Sequence, residues 1–287
     1  MKTIFILAVS LVVSISIYAQ NDTLKSKKDT TRIVVGRKEI KIFDTDQGTD
    51  IKVREKNHKE ENDTNFQEFK KQKIKKFSGH WSGIDLGFDN YLNKNGSTGL
   101  SANDEFMRLK SNRSIGVSIN FFQHSVGLIG NNFGLVTGLG LEFNNYFFDH
   151  NNSITKDSLS VVIPKTYTNV HIDKSKLEAT YLVVPLIFEF QFPGSVSRSK
   201  RFRIAAGVIG SLKLESHTKV QYPDNGRAQK DKVRDDFSMN FLRYCFTGRI
   251  GLNKINLYAN YYPVRLFEKD KGPELYPISV GLSFALW

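Results

Sequence analysis

The sequence predicts an all-β chain: an eight-stranded antiparallel up-and-down transmembrane β-barrel with a small N-terminal periplasmic segment. Three observations point there. Apolar side chains recur with period two in eight runs from residue 80 onward, the signal of strands with one apolar face. The connections between runs, about 22, 7, 27, 8, 22, 2 and 7 residues, alternate long and short, as in an outer-membrane barrel with long loops outside and short periplasmic turns. The face opposite the apolar one carries charges and glycines, which suits a narrow lumen better than a free surface, where glycine weakens an exposed strand.

Residues 1–20, MKTIFILAVSLVVSISIYAQ, give one lysine, an apolar stretch and small Ala19, the layout of a secretory signal peptide. No later stretch offers about 18 consecutive apolar residues, so any membrane residence must use strands. Residues 21–77 are dense in charge and poor in aromatics. Within 21–54, Ile33/Val35, Ile40/Ile42 and Ile51/Val53 alternate with polar residues, and Asp46-Gln47-Gly48 is a turn signal, which predicts a periplasmic hairpin or three-stranded ribbon. Residues 55–77 read as a charged linker and 78–287 as the barrel.

The strands follow at about 80–91, 114–124, 132–148, 176–192, 201–215, 238–252, 255–267 and 275–286. In the first, Ile84, Leu86 and Phe88 oppose Asp85 and Asp89; in the fourth, Leu182, Val184, Leu186, Phe188 and Phe190 share a face. The last strand sets Ile278, Val280, Leu282, Phe284 and Leu286 on one face, and it must pair with the first because lipid permits no open edge. Loops 92–113, 149–175 and 216–237 are then expected outside.

The lumen set is Asp85, Asp89, Glu142, Arg203, Lys213, Arg243 and Arg249. Its acids fall on the first and third strands and its bases on the fifth and sixth, an arrangement that predicts pairs across the bore, since an unpaired buried charge is costly. Trp81, Tyr91, Tyr146, Tyr261 and Tyr262 lie near strand ends, where an aromatic girdle belongs. An eight-stranded barrel has an interior that side chains just fill, so the expectation is a closed cylinder without a plug.

Signals of chemistry are sparse. His58, His80, His124, His150, His171 and His217 lack metal-ligand spacing, and no glycine-rich phosphate loop precedes a helix. No catalytic, cofactor or metal site is expected; Asp149, His150 and Ser153 after the third strand are the one rim cluster of acid, base and hydroxyl. Cys245, the single cysteine, reads as a small lumen filler. The formal charge of +12 would suit nucleic acid, but an exported chain does not meet it. Lys70, Lys71, Lys73, Lys75 and Lys76 precede the first strand. Arg108, Lys110, Arg113, Lys174, Lys176, Lys219, Arg227, Lys230 and Lys232 fall on the outer side, facing lipopolysaccharide phosphates.

The signal ending YAQ, the segment DTTRIVVGRKEIKIFDTDQG, the opening HWSGIDLGFDNYL, the run TYLVVPLIFEFQF and the close YANYYPVRLFEKDKGPELYPISVGLSF resemble the PorT-like outer-membrane β-barrel proteins of the Bacteroidota. The resemblance implies a small barrel inserted from the periplasm by the barrel-assembly machinery, which reads a C-terminal strand with alternate apolar residues and a terminal aromatic. It implies a location and a fold, not a reaction. The expected role is a non-enzymatic scaffold or interaction protein, contacting outer-membrane lipid and lipopolysaccharide, with a periplasmic protein partner for 21–77. The alternatives are a narrow channel or transporter, and a secreted soluble β-barrel binding protein.

Overall fold

A computed structural model describes residues 30–35, 38–45, 48–55, 77–167, 170–192, 201–224 and 227–286. The expected signal peptide and nearly all of the charged linker, with its lysines, lie outside the described residues. The chain divides between Lys75 and Lys76 into two units. In the first, β1 (Thr30–Val35), β2 (Lys38–Thr45) and β3 (Gly48–Glu55) form an antiparallel meander, in which Ile33 pairs with Ile40 and Ile40 with Val53. Its strands carry the Ile33/Val35, Ile40/Ile42 and Ile51/Val53 pairs of the alternation.

The second unit contains β4 (Gly83–Leu92), β5 (Ile115–Ile129), β6 (Phe133–Phe147), β7 (Asn152–Lys156), β8 (Val162–Thr166), β9 (Lys174–Gln191), β10 (Arg203–Asp224), β11 (Arg227–Arg234), β12 (Leu242–Leu252), β13 (Ile255–Tyr261) and β14 (Tyr276–Ala285). β4, β5, β6, β9, β10, β12, β13 and β14 pair in that order as antiparallel neighbours. β14 returns to β4 with Leu282 opposite Leu86, so the ring has no open edge.

Which way the faces point separates a membrane barrel from a soluble one. Ile84, Leu86 and Phe88 are 44%, 44% and 59% exposed, while Asp85 and Asp89 are buried. The same inversion holds along β12, where Leu242, Tyr244, Phe246 and Ile250 point out and Arg243, Cys245, Thr247 and Arg249 point in. A soluble barrel would bury the apolar set; an apolar exterior around a polar bore is what lipid requires. Among the described residues no helix is long and apolar enough to cross a membrane, and the strands supply the crossing.

Three β-bulges adjust this alternation among the described residues. One lies between Asn120 and Phe122, so Phe121 and Phe122 are both exposed and Gln123 and Ser125 turn toward the bore. The second lies between Gly127 and Ile129, opposite β6, and the third between Lys213 and Glu215, opposite β9.

At 18 and 22 residues, β9 and β10 exceed the roughly 9–11 that a tilted strand needs to cross a bilayer. Beyond the membrane β10 exchanges partners: Arg203–Leu212 pairs with β12, and His217–Asp224 pairs with β11. Segment 216–237, expected as a loop, is therefore largely a strand ribbon, and 149–175 contains the β7–β8 hairpin. β8 beyond Val162 and nearly all of β11 are exposed, so neither ribbon carries the apolar alternation that marks the barrel strands. The connection 262–275 is also longer than expected, which extends the long-short alternation to the last pair.

Candidate functional site

The bore is built up in layers from the periplasmic end. Segment 77–82, just before β4, enters that mouth as a strap. Gln123, turned inward by its bulge, accepts from the backbone N–H of Trp81 at 2.6 Å and donates to the Gly79 carbonyl at 2.8 Å. Gln191 donates to the Ser78 carbonyl at 2.7 Å, and Glu189 takes the His80 backbone N–H at 3.0 Å with His80 Nδ1 2.7 Å from its other oxygen. Phe77 and Trp81 are buried, lying over Gly134 and Gly138, where a Cβ would come within 2.4 and 2.7 Å of their rings. The glycines of the inner face thus make room for ring side chains of the strap, and the expectation of a bore without a plug is corrected. Arg203 lies at this end, donating to Asn256 Oδ1 at 2.8 Å and to the Asn253 carbonyl at 2.6 Å.

Midway, Arg249 of β12 meets Asp85 of β4 at 2.9 Å, its guanidinium 4.8 Å from the centre of the Trp81 ring. Above it, Arg243 meets Glu142 of β6 at 3.1 Å and donates to Asn144 Oδ1 at 2.6 Å, between the rings of Tyr181 and Tyr262 at 3.5 and 4.3 Å. Glu142 Oε1 also accepts from Tyr262 at 2.7 Å and from Asn144 at 3.0 Å, and Asn144 reaches Asp89 at 3.0 Å. Five of the seven expected lumen residues, Asp85, Asp89, Glu142, Arg243 and Arg249, join in these two networks. Arg203 bonds to neutral groups instead. Lys213 sits where its bulge turns it to the outer mouth, donating to the carbonyls of Asp236 and Met239 at 3.0 and 2.8 Å.

The outer mouth is roofed by loops. Met107, Phe148, Ile154, Phe237, Leu266 and Phe267 are all buried. Backbone bonds knit the separate connections together: Asp149 N–H to the Arg108 carbonyl at 2.8 Å, Val162 N–H to Lys271 at 2.8 Å, and Glu268 N–H to Ser238 at 2.7 Å. Tyr91 donates to the Met107 carbonyl at 2.7 Å and lies 5.6 Å from Tyr146, joining roof to bore.

The girdle assignment needs correction. Trp81 is buried because the strap carries it into the bore, and Tyr91, Tyr146 and Tyr262 because each shares parity with inward polar residues; of the five, Tyr261 faces outward, at 42% exposure. The outward aromatics are mainly phenylalanines: Phe192 between Phe190 and Phe202 near the periplasmic end, and Tyr244 with Phe246 toward the other. The rim trio is not assembled: Ser153 is buried in the roof, whereas His150 is exposed and points to Glu105 at 3.5 Å. Among the described residues no group of three His, Cys, Asp or Glu side chains is placed to hold a metal. Cys245 is free and buried on the inner face.

The outer membrane protein beta-barrel domain family profile matches residues 81–263, most of the ring. The chain belongs to this outer-membrane β-barrel family. Membership accords with the inverted faces and assigns the protein to the outer membrane. Two solved structures are similar, both of Ail, the attachment invasion locus protein of Yersinia pestis. One, in complex with the heparin analogue sucrose octasulfate, is 11% identical, covers 70% of this chain and 96% of that one, and has a TM-score of 0.27. The other, of Ail, is 10% identical, covers 71% and 98%, and has a TM-score of 0.29. No curated protein matches.

Proposed function

We propose that this outer-membrane barrel is a closed, non-enzymatic scaffold that acts through its extracellular surface. One observation carries the reading: the bore is obstructed at three levels, by the 77–82 strap, by the Arg249–Asp85 and Arg243–Glu142 networks, and by the knitted roof. A transporter needs a path that opens without breaking such buried pairs, whereas a scaffold benefits from a rigid roof that holds the β7–β8 hairpin and the β9–β10–β11 ribbon in fixed positions. In this reading residues 1–20 direct export and are then removed, and the mature chain is inserted by the barrel-assembly machinery. Residues 21–77 meet a periplasmic protein partner, and the barrel is of the PorT-like kind found in the Bacteroidota.

The test is conductance of the purified full chain in planar bilayers. A silent bilayer containing folded protein is expected. Step-like currents that disappear on neutralising Arg243 or Arg249 would overturn the scaffold in favour of a narrow channel.

A further inference from the structure

On the outer wall, Arg113, Lys174 and Lys176 converge with Asn145, Ile115 and Phe147 around a cleft of about 480 Å³. Arg113 precedes β5, and both lysines lie on the first turn of alternation of β9. Leu177, Ala179 and Tyr181 of β9 point inward, so Lys174 and Lys176 share the outward face of Val184 and Leu186. The two ammonium groups lie 5.2 Å from the centre of the Phe147 ring. Across the strand pairing Lys219 stands opposite Lys176, and Lys232 opposite Lys219, which extends the positive surface over β10 and β11.

The acids of this wall are already engaged. Glu178 pairs with Lys176 and His217, and Glu215 with Arg234 at 3.0 Å. Among the described residues no carboxylate comes within ion-pair distance of Arg113 or Lys174. Lys174 is held below the ordinary lysine range, first by desolvation and then by Lys176 and Lys219, with Glu178 opposing them, so Arg113, Lys174, Lys176 and Lys219 gather around one carboxylate and positive charge is in excess. The other wall of the cleft is apolar: Ile115, 40% exposed, pairs with Phe88, 59% exposed, and both continue the lipid-facing surface.

A cationic wall meeting an apolar wall at the edge of the lipid-facing band suits an amphiphile with an anionic headgroup. We propose that this cleft binds the phosphorylated headgroup of an outer-leaflet lipid, its phosphate against Arg113, Lys174 and Lys176 and its acyl chain along Ile115 and Phe88. Arginine supplies a fork that fits phosphate oxygens two at a time, and the lysines supply point charges. This goes beyond the closed-scaffold reading and is independent of it, since it requires only that the strands span the membrane in this orientation.

The test uses the folded full chain in phosphatidylcholine nanodiscs doped with bis-phosphorylated lipid A or with lipid A stripped of phosphate. Lipid retained after a detergent wash is read by mass spectrometry, and the heat-modifiable gel band verifies folding. The wild type is expected to retain the phosphorylated form roughly tenfold better. Arg113→Gln/Lys174→Gln/Lys176→Gln should lose that preference, while Lys254→Gln at the periplasmic turn should keep it. Millimolar inorganic phosphate should not release the lipid. Equal retention of the two lipid A forms by wild type, or an unchanged preference in the triple variant, would overturn the proposal, and release by inorganic phosphate would make this a site for the free ion. Should the triple variant fail to fold, the wild-type comparison decides alone.

Discussion

Arg243 of β12 and Glu142 of β6 meet across the bore at 3.1 Å, with the guanidinium 3.5 Å from the centre of the Tyr181 ring. Both side chains are almost fully buried, so each answers the charge of the other in a place that water scarcely reaches. Removing one partner strands the second. Glu142→Gln is expected to destabilise the barrel by about 3–5 kcal/mol, whereas replacing both by apolar residues, Glu142→Leu with Arg243→Met, should recover much of that loss. Urea midpoints followed by the heat-modifiable gel band measure both. A double variant that simply sums two large losses would show that the pair is not the unit of stability.

The facing assignment makes two substitutions behave oppositely. Leu186 is 52% exposed on the lipid face, and Leu186→Arg should cost about 2–4 kcal/mol near the midplane. Ser211 is buried at 3% and lies opposite Arg243 in the strand pairing, so Ser211→Leu should overpack the bore at a cost of about 1–3 kcal/mol. If Ser211 instead faced lipid, leucine there would be harmless or stabilising, and one unfolding measurement separates the cases.

The strap makes a contact that a second substitution can relieve. A Cβ on Gly79 would lie 2.2 Å from a methyl of Val136, and all three nearest atoms belong to that one side chain. Gly79→Ala should therefore lift the strap and cost about 1–3 kcal/mol, and Val136→Ala in the same chain should remove most of the effect, although it is destabilising alone. Protease susceptibility of 77–82 in folded protein reads the lifting directly. Equal susceptibility in the single and double variants would place the strain elsewhere.

Strand parity carried much of this architecture. Asp85 and Asp89 on one face of β4 and Ile84, Leu86 and Phe88 on the other were readable because lipid and bore impose opposite demands on alternate residues. The same parity also argues against Tyr91 as a girdle residue, since it continues the series of Asp85 and Asp89; proximity to a strand end was the weaker signal. Gln123 was hidden for another reason. Alternation counted from Ile115 turns it outward, and only the extra residue at Phe121 brings it in. The β10–β11 ribbon lacks an apolar face, yet Pro223-Asp224-Asn225-Gly226 is a turn signal of the kind that joins paired strands. The strap was not legible at all, because six residues with no period become ordered through partners from β5, β6 and β9.

The roof has an acid-sensitive fastening. Lys156 of β7 lies 2.6 Å from Asp235 and 2.5 Å from Asp236, which tether the hairpin to the segment before β12. The Lys156 hydrogen bond, helped by the Ser238 backbone N–H, holds the Asp236 carboxyl at about 2, against an ordinary 3.8. Lys156 is itself raised above 10.5, chiefly by Asp235 and then Asp236. A depressed carboxylate gives stability that is complete above the unfolded value and is lost as pH falls from 3.8 toward 2. On the alkaline side, the raised lysine keeps the tether beyond the ordinary lysine range. Asp236 has a side chain 65% exposed, so the contribution is that of a surface pair, about 0.2–1 kcal/mol, enough to loosen the hairpin and too little to open the barrel. Hydrogen exchange of the 152–166 amides, corrected for intrinsic rates, should lose protection between pH 5 and pH 2.5 while the ring strands keep theirs. Lys156→Met should begin with less protection at pH 5 and respond less to acid. An identical acid response in wild type and variant would assign the sensitivity to other groups of the roof.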